Sequence, residues 1–397
     1  MTGSSEDPTM QCAADPLAHL SPDERLAVAR LWFAQLPAAE RPTLVSAMEA
    51  LRGATGSRRP RLLIYGLGSF GDALQLTPLL HCLRRRFSGA ELILIHPHSP
   101  VRKLLEGHED IDRLIVMPST AHGAMRSLVH AEALADLIVE CRYAIQYSLV
   151  SGGEGLAPDE REFVRSAQAG QQEWLPFVRR FPFDNDELWR AAAARGWSMP
   201  RLMAHTAGFP NDDFETYRLT LADEDFEVRR ELPQRYLAVC NSAEALAITQ
   251  GPWTKVLPRD RMTRIVHGLR TFGLPVVLLG AKDDARVDGV DIDLRGRTSI
   301  REAAAVLRDA AVFVGPEGGL TNLARAVQTR SVVFFGSTPP EFFALRGNIN
   351  VRPQRCGGCW WTTPSYLHQC PRLQVTPECT ASIPEQAVLS AVAESLQ

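Results

Sequence analysis

Short apolar runs alternate with amphipathic stretches from Arg61 onward, a pattern that is typical of parallel α/β units. The runs predicted to be strands are RLLIYG, ELILIHP, DRLIVMP and YAIQYSLV. Helices are predicted between them over residues 72–86 and around residues 100–106. Strands that are buried on both faces of a parallel sheet read as unbroken apolar runs, and these four do. The pattern therefore predicts a first Rossmann-like domain.

A second series of the same kind begins near Arg235. Its predicted strands are YLAVCN, PVVLLGA, AVFVG and SVVFFGS, and its predicted helices are RMTRIVHGLRTFG, SIREAAAVLRDA and NLARAVQ. Gly273 ends the first of these helices, and Ser299 is the N-cap of the second. Two domains of this kind bind ligands in the cleft at the carboxyl ends of their strands. The predicted fold class is α/β, with two facing Rossmann-like domains.

The segments outside these two series do not show the alternation of strands and helices. Residues 21–52 are predicted to form two helices, and the first begins with a capping box, SPDE, that places Pro22 at the first helical position. We interpret them as a helical N-terminal extension that covers the fold or helps it to oligomerise. The predicted domains are the extension, the first and second Rossmann-like domains, and a cysteine-containing loop with a C-terminal helix, over residues 1–59, 60–230, 231–350 and 351–397.

Composition narrows the class of protein without naming a function. The 397 residues are 45% hydrophobic and 22% charged, which is enough apolar material for more than one core. The net charge of −3 gives no basic footprint for a nucleic acid. No apolar run approaches the roughly 20 residues of a membrane span. The first residues lack the basic and apolar regions of a secretory signal, so we expect a cytoplasmic protein.

A glycine-rich loop joins the first predicted strand to a helix: Gly66-Leu67-Gly68-Ser69-Phe70-Gly71-Asp72. It has the spacing G-x-G-x-x-G, but a dinucleotide site also needs an acidic residue at the end of the second strand. That strand ends in His96-Pro97-His98, so an NAD-type oxidoreductase is disfavoured. Asp72 has two interpretations: a general base in the cleft, or a first-turn carboxylate that the helix dipole favours.

A second glycine-rich loop follows the strand AVFV and begins the helix that contains NLARAV: Gly315-Pro316-Glu317-Gly318-Gly319-Leu320-Thr321-Asn322. Backbone N–H groups at a helix N-terminus bind phosphate, and Gly318 and Gly319 allow a diphosphate to come close. Glu317 is placed to accept hydrogen bonds from sugar or ribose hydroxyls. The alternative is a simple tight turn.

Polar residues also follow the strand YLAVC. Asn241 and Ser242 stand at its end, and Lys255 lies about a dozen residues further on. A fixed cation suits a nucleotide diphosphate leaving group, because negative charge develops there when a sugar is transferred. The alternative for Lys255 is a solvated loop lysine.

Four of the eight cysteines are clustered near the C-terminus: Cys356, Cys359, Cys370 and Cys379. One C-x2-C pair with two more nearby thiols fits a closed tetrahedral site for zinc or iron, and a site of four thiolates has no open position for catalysis. Two disulfides or free thiols are the alternatives. We therefore predict a structural metal site.

These motifs, in this order, resemble glycosyltransferase family 9, the ADP-heptose heptosyltransferases of the GT-B fold, over residues 60–390. The family's first motif matches Gly71-Asp72 and the Thr77-Pro78 that follows. Its K-x-W-P element is similar to Lys255-Val256-Leu257-Pro258, and its F-G-x-T-x-P to FGSTPP. Its donor loop, D-S-G-x-x-H-x-A, is similar to residues 317–324, with Glu317, Gly318 and Asn322 in place of Asp, Ser and His.

The helical extension and the four-cysteine loop narrow the resemblance to the bacterial autotransporter heptosyltransferases. It implies inverting transfer of heptose from ADP-heptose to serine or threonine hydroxyls of an adhesin, by a homo-oligomer whose four cysteines hold iron. It assigns the catalytic base to Asp72 and a donor phosphate contact to Lys255. The alternatives are a lipopolysaccharide core sugar as acceptor, and a binding or scaffold protein of the same fold without catalysis.

Overall fold

The structure is a computed structural model that describes residues 20–53, 59–66, 68–178, 186–242, 254–366 and 369–397. The chain divides into two compact units. The first unit comprises residues 1–68, 76–188 and 200–214, and the second comprises residues 69–75, 189–199 and 215–397. Within the described ranges, no helix combines the length and the apolar character needed to cross a membrane.

The first unit is built on a five-stranded sheet with the order β3-β2-β1-β4-β5. Its strands are β1 (Arg61–Tyr65), β2 (Glu91–His96), β3 (Arg113–Val116), β4 (Leu137–Cys141) and β5 (Ile145–Leu149). The first four strands are parallel, and β5 pairs antiparallel with β4. The residues of β1 are buried throughout, as the apolar run predicted.

The helices of this part of the chain are α1 (Pro22–Gln35), α2 (Arg41–Arg52), α3 (Phe70–Arg86), α4 (Pro100–Leu105), α5 (His122–Ala131), α6 (Pro158–Gln171), α7 (Leu175–Val178), α8 (Asp186–Ala194) and α9 (Met199–Thr206). Three of them, α3, α8 and α9, have residues in both units. Ser21 and Glu24 form the predicted reciprocal capping box at the start of α1. Helix α1 packs closely on α5, where a side chain added at Gly123 would lie 3.0 Å from the Trp32 ring. The two N-terminal helices thereby cover one side of this unit's core.

The second unit contains a six-stranded sheet, all parallel, with the order β11-β10-β9-β6-β7-β8. Its strands are β6 (Leu237–Val239), β7 (Val276–Leu278), β8 (Ile292–Asp293), β9 (Val312–Pro316), β10 (Ser331–Phe334) and β11 (Ile349–Val351). Its further helices are α10 (Arg259–Arg270), α11 (Ile300–Asp309), α12 (Gly319–Ala326), α13 (Pro340–Phe343), α14 (Glu378–Ala381) and α15 (Glu385–Ser395). The C-terminal helix α15 contributes Val388 and Val392 to the core between α10 and the sheet.

The predicted local signals of the second unit are confirmed. Ser299 caps α11 through a capping box with Glu302. Gly273 follows α10 in a left-handed conformation, with φ of 72°, which glycine adopts without steric cost. Asn322 and its neighbours lie within α12, the helix predicted after the second glycine-rich loop.

The prediction for the end of the first sheet is wrong in two respects. The run YAIQYSLV was predicted to be the fourth parallel strand, but the fourth is β4, and β5 returns antiparallel beside it. Only three residues separate β4 from β5. A parallel neighbour needs a crossover of a dozen residues or more, so this short connection forces a hairpin. The short strands β8 and β11 were not predicted either.

Candidate functional site

Asp72 lies in the first turn of α3, in the short segment 69–75 that belongs to the second unit. The backbone N–H of Ser69 donates to Asp72 Oδ2 at 2.7 Å, and the N–H of Gly71 donates to Ser69 Oγ at 3.3 Å. This exchange resembles a capping box and fixes the orientation of the carboxylate. The structural interpretation of Asp72 as a first-turn carboxylate therefore has direct support, and it does not conflict with a chemical role.

The surroundings of Asp72 favour the protonated, neutral form of its carboxyl more than bulk water would, so the pKa of this carboxyl is raised. Burial raises the pKa of the Asp72 carboxyl, and the charge of Glu317 adds to the rise. Hydrogen bonds from Ser69 and the positive charge of Lys255 act in the opposite direction. A carboxylate whose pKa is raised is a stronger base than one in water, which suits removal of a proton from a hydroxyl.

Lys255 and Glu317 form an ion pair in the second unit. Lys255 Nζ donates to Glu317 Oε2 at 2.6 Å, and the two side chains are only 14% and 11% exposed. The same ammonium lies 4.0 Å from the centroid of the Trp360 ring. Lys255 is thus held in place between a carboxylate and an aromatic face, which argues against the alternative of a solvated loop lysine.

The second glycine-rich loop turns from β9 into α12 at Gly318 and Gly319. Gly318 is the N-cap residue, and a side chain added there would meet no atom within 4 Å. Thr321 donates its hydroxyl proton to Pro316 O at 2.6 Å and is buried. Leu320 lies in the first turn, where backbone N–H groups have no intrahelical acceptor. The loop therefore has the geometry that an anion requires at a helix N-terminus.

The two glycine-rich loops pack against each other. A side chain added at Gly71 would lie 2.9 Å from Gly319 Cα and 2.9 Å from Asn322 Nδ2. A side chain added at Gly319 would lie 2.5 Å from the Phe70 ring. This close approach, together with the charges of Lys255 and Glu317 near Asp72, brings these predicted residues into one cluster.

Asn241 and Ser242 have other partners. The Asn241 side chain accepts from Leu257 N–H and donates to Leu257 O, both at 3.0 Å, and it is buried. The Ser242 hydroxyl is hydrogen-bonded to the Asp284 carboxylate, whose pKa is raised by burial and lowered by this bond. Asn241 therefore stabilises the loop that carries Lys255. Their predicted contact with a ligand stays a prediction.

Tyr217 is a residue that the sequence analysis missed. It is 4% exposed, and its hydroxyl has no hydrogen-bond partner within the described ranges. Burial raises its pKa, and the charges that act on it include those of Glu317 and Asp72. A lone tyrosine in an irregular stretch gives no sequence signal, so only the fold could place this unpartnered hydroxyl near the cluster.

The four clustered cysteines are free thiols at different depths. Cys356 is exposed, Cys359 is half-buried, and Cys370 and Cys379 are buried. Burial raises the pKa of Cys359 to about 11 and that of Cys379 to about 12, and neighbouring thiols of the cluster add to both rises. Their chemistry suits zinc or iron. However, in the part of the chain that the structure describes, no three or more metal-binding side chains are arranged to hold an ion.

Comparison with known protein families covers the part of the chain that contains most of these candidate residues. Residues 184–374 match the model of glycosyltransferase family 9 (heptosyltransferase). The matched part contains Lys255, the loop from Glu317 to Asn322, and three of the four clustered cysteines. The chain is a glycosyltransferase. No curated protein sequence matches it.

Solved structures support the fold of this glycosyltransferase over most of its length. A glycosyl transferase family 9 protein from Veillonella parvula has a TM-score of 0.55 and 16% identity, and the match covers 86% of this chain and 99% of that one. ADP-heptose lps heptosyltransferase II of E. coli has a TM-score of 0.54 and 17% identity, with coverage of 85% and 98%.

TibC, an iron-containing dodecameric glycosyltransferase from enterotoxigenic E. coli, has a TM-score of 0.55 and 17% identity. The match covers 85% of this chain and 78% of TibC. At these identities, all three likenesses are likenesses of fold. They are consistent with a GT-B protein built from parallel-sheet, Rossmann-like domains.

Proposed function

We propose that this glycosyltransferase moves heptose from ADP-heptose to serine or threonine hydroxyls of a protein acceptor, an autotransporter adhesin, with inversion at the sugar. The observation that carries the proposal is the cluster formed by Asp72, the Lys255–Glu317 pair and the start of α12. In this cluster the Asp72 carboxyl has a raised pKa, the charge of Lys255 acts on it, and the N-terminus of α12 lies beside them.

The chemistry assigns one role to each part. The Asp72 carboxylate takes the proton of the acceptor hydroxyl, whose oxygen forms the new bond to the anomeric carbon of heptose. The bond from that carbon to the phosphate oxygen breaks, and ADP leaves with the electron pair. Lys255 and the backbone N–H groups of Gly319, Leu320 and Thr321 stabilise the charge on the departing diphosphate. Asn322 lies beside them in the first turn of α12.

The fold class and the surroundings of the site belong to the same proposal. We assign the chain to GT-B, with α1 and α2 as a helical N-terminal extension and residues 351–397 as a four-cysteine loop with its C-terminal helix. Cys356, Cys359, Cys370 and Cys379 hold a structural iron ion in this proposal, with zinc as the alternative, because four thiolates that include one C-x2-C pair are a closed ligand set for such an ion. We place the reaction in the cytoplasm and the enzyme in a homo-oligomer.

The test is the intact mass of an adhesin passenger domain incubated with ADP-heptose and either wild-type protein or Asp72→Asn. Asparagine keeps an oxygen that accepts the Ser69 N–H, so the variant retains the helix start and loses only the base. We expect additions of heptose by the wild type and a loss of about 10²- to 10⁴-fold in rate for the variant. ADP binding by calorimetry, unchanged in the variant, serves as the folding control.

A second acceptor separates the proposal from its nearest rival. If a lipopolysaccharide core oligosaccharide is modified and the adhesin is not, the acceptor is a sugar and the proposal of a protein acceptor is wrong. If Asp72→Asn transfers heptose at the wild-type rate, Asp72 is not the base. If ADP binds and no acceptor gains heptose, the binding or scaffold alternative gains support.

A further inference from the structure

We propose that Trp360, from the four-cysteine loop, is a positioning residue for Lys255, so that this loop forms the floor of the diphosphate subsite. The inference rests on the proposed function, which makes Lys255 the cation that faces the donor diphosphate. The contact that points to it is the 4.0 Å separation between Lys255 Nζ and the centroid of the Trp360 ring. Tryptophan gives the strongest cation–π attraction among the aromatic side chains.

The arrangement fixes the ammonium from two sides. Glu317 Oε2 accepts one of its protons at 2.6 Å, and the indole face lies against it. An ammonium has three protons to donate, and the ring stabilises the charge without accepting one in a fixed direction. The remaining donor capacity of Lys255 is therefore available to phosphate oxygens at a defined position.

Trp360 itself is held rigidly. It is 5% exposed, its backbone N–H donates to Ser337 O at 3.0 Å, and its carbonyl accepts from Trp189 Nε1 at 3.4 Å. The Tyr366 ring packs edge-on against it, with centroids 4.5 Å apart. A ring that is locked in this way costs little further entropy when it orients a flexible lysine.

Thr254, the residue before Lys255, is hydrogen-bonded to the same part of the second unit. The hydroxyl of Thr254 is hydrogen-bonded to Ser337 Oγ and to Tyr366 O, both at 2.9 Å, and Thr254 O accepts the N–H of Ser337 at 3.3 Å. Cys379 Sγ lies 4.0 Å from Thr254 O. Thr254, which precedes Lys255, and Trp360 are thus both hydrogen-bonded to one residue, Ser337, three residues beyond β10, so Lys255 and Trp360 share one anchor.

Trp361 provides a matched control in the next position. It is 1% exposed and packs on the Phe342 and Phe343 rings, with centroids 6.4 and 5.6 Å away. Its removal perturbs the same loop without removing the contact to Lys255. Differences between the two tryptophans therefore isolate the cation–π contact from the general packing of the loop.

The experiment measures ADP affinity by calorimetry for full-length protein with tryptophan, 5-fluorotryptophan or 5,7-difluorotryptophan placed at position 360, and for Trp360→Leu and Trp361→Phe. Fluorine withdraws charge from the ring face at nearly constant shape. We expect affinity to fall stepwise along the series, to fall about tenfold for Trp360→Leu, and to change less than twofold for Trp361→Phe. The methylene protons of Lys255 beside the ammonium should show a ring-current shift that Trp360→Leu abolishes.

Each outcome bears on the inference. Affinity that is flat across the fluorinated series, or a Lys255 signal without a ring-current shift, overturns it while the proposed function stands. Wild-type protein that binds no ADP overturns the proposed function, and the diphosphate subsite falls with it. A stepwise fall with an unchanged Trp361→Phe control supports it.

Discussion

Gly71 allows the closest backbone approach in the candidate site, and Gly71→Ala tests that approach. The new methyl group would lie 2.9 Å from Gly319 Cα and 2.9 Å from Asn322 Nδ2, closer than side-chain carbons normally come to such atoms. Asn322 has a side chain that can rotate away, but Gly319 Cα belongs to the backbone at the start of α12. The substitution therefore has to move one glycine-rich loop away from the other.

Overpacking of this kind costs about 1–3 kcal/mol, and we expect about 2 kcal/mol here because one of the two contacts can relax. In a unit of about 200 residues, 1 kcal/mol shifts the melting temperature by about 2–4 °C, so Gly71→Ala should melt about 4–8 °C lower. The assay is thermal unfolding by calorimetry, with Gly318→Ala as the matched control.

Gly318 offers the control because a side chain there would meet nothing within 4 Å and its φ of 161° is extended backbone. Alanine should leave the melting temperature unchanged or raise it slightly, because it reduces the entropy of the unfolded chain by about 0.4–1 kcal/mol. Equal melting temperatures for Gly71→Ala and the wild type, or equal losses in the two variants, would refute the packing of the two loops.

Three further predictions concern pH, ligand and metal. The value of kcat/KM should fall as the pH is lowered and Asp72 is protonated, and the fall should come at a higher pH than for an ordinary carboxyl because burial raises the pKa of Asp72. Lys255→Met should move the fall to still higher pH, since a cation that favours the carboxylate is lost. Lys282→Met, on the surface, should leave the pH of the fall unchanged. ADP at one hundred times its Kd should stabilise the protein by about 2.7 kcal/mol, a rise in melting temperature of about 5–10 °C that Lys255→Met reduces. Metal analysis should find about one ion per chain in the wild type and in Cys82→Ser, and none in Cys370→Ser. Chelation should lower the melting temperature, because binding of a structural metal contributes to folding. Equal metal content in the two serine variants would contradict the four-cysteine site.

The sequence predicts what depends on local pattern. Buried parallel strands such as β1 and β9 are unbroken apolar runs, and the caps at Ser21 and Ser299 follow from short-range hydrogen bonding that any helix start needs. The direction of β5 was readable in principle from its three-residue connection to β4, but the apolar content of the run alone does not carry direction.

Contacts between distant segments could not be predicted in this way. Lys255 and Trp360 are about one hundred residues apart, and no periodicity links a loop lysine to an aromatic side chain beside a cysteine. Asn241 is a second example: its amide satisfies the backbone of Leu257 on the neighbouring loop, a partner that no sequence pattern indicated, and its predicted contact with a ligand stays a prediction. Buried polar groups require partners, and the chain often supplies them itself.

Glu317 shows why the altered second loop is compatible with donor binding. A nearly buried lysine needs a counter-charge, since an unpaired ammonium in this position would be strongly destabilising. Glu317 provides that charge at 2.6 Å. Under the proposed function, a bound diphosphate brings more negative charge to the same ammonium, which stays against Glu317 and Trp360 and donates its remaining protons to phosphate oxygens. The departure from aspartate at this position changes the length of the carboxylate arm and keeps its charge, so the altered loop is compatible with the proposed donor binding.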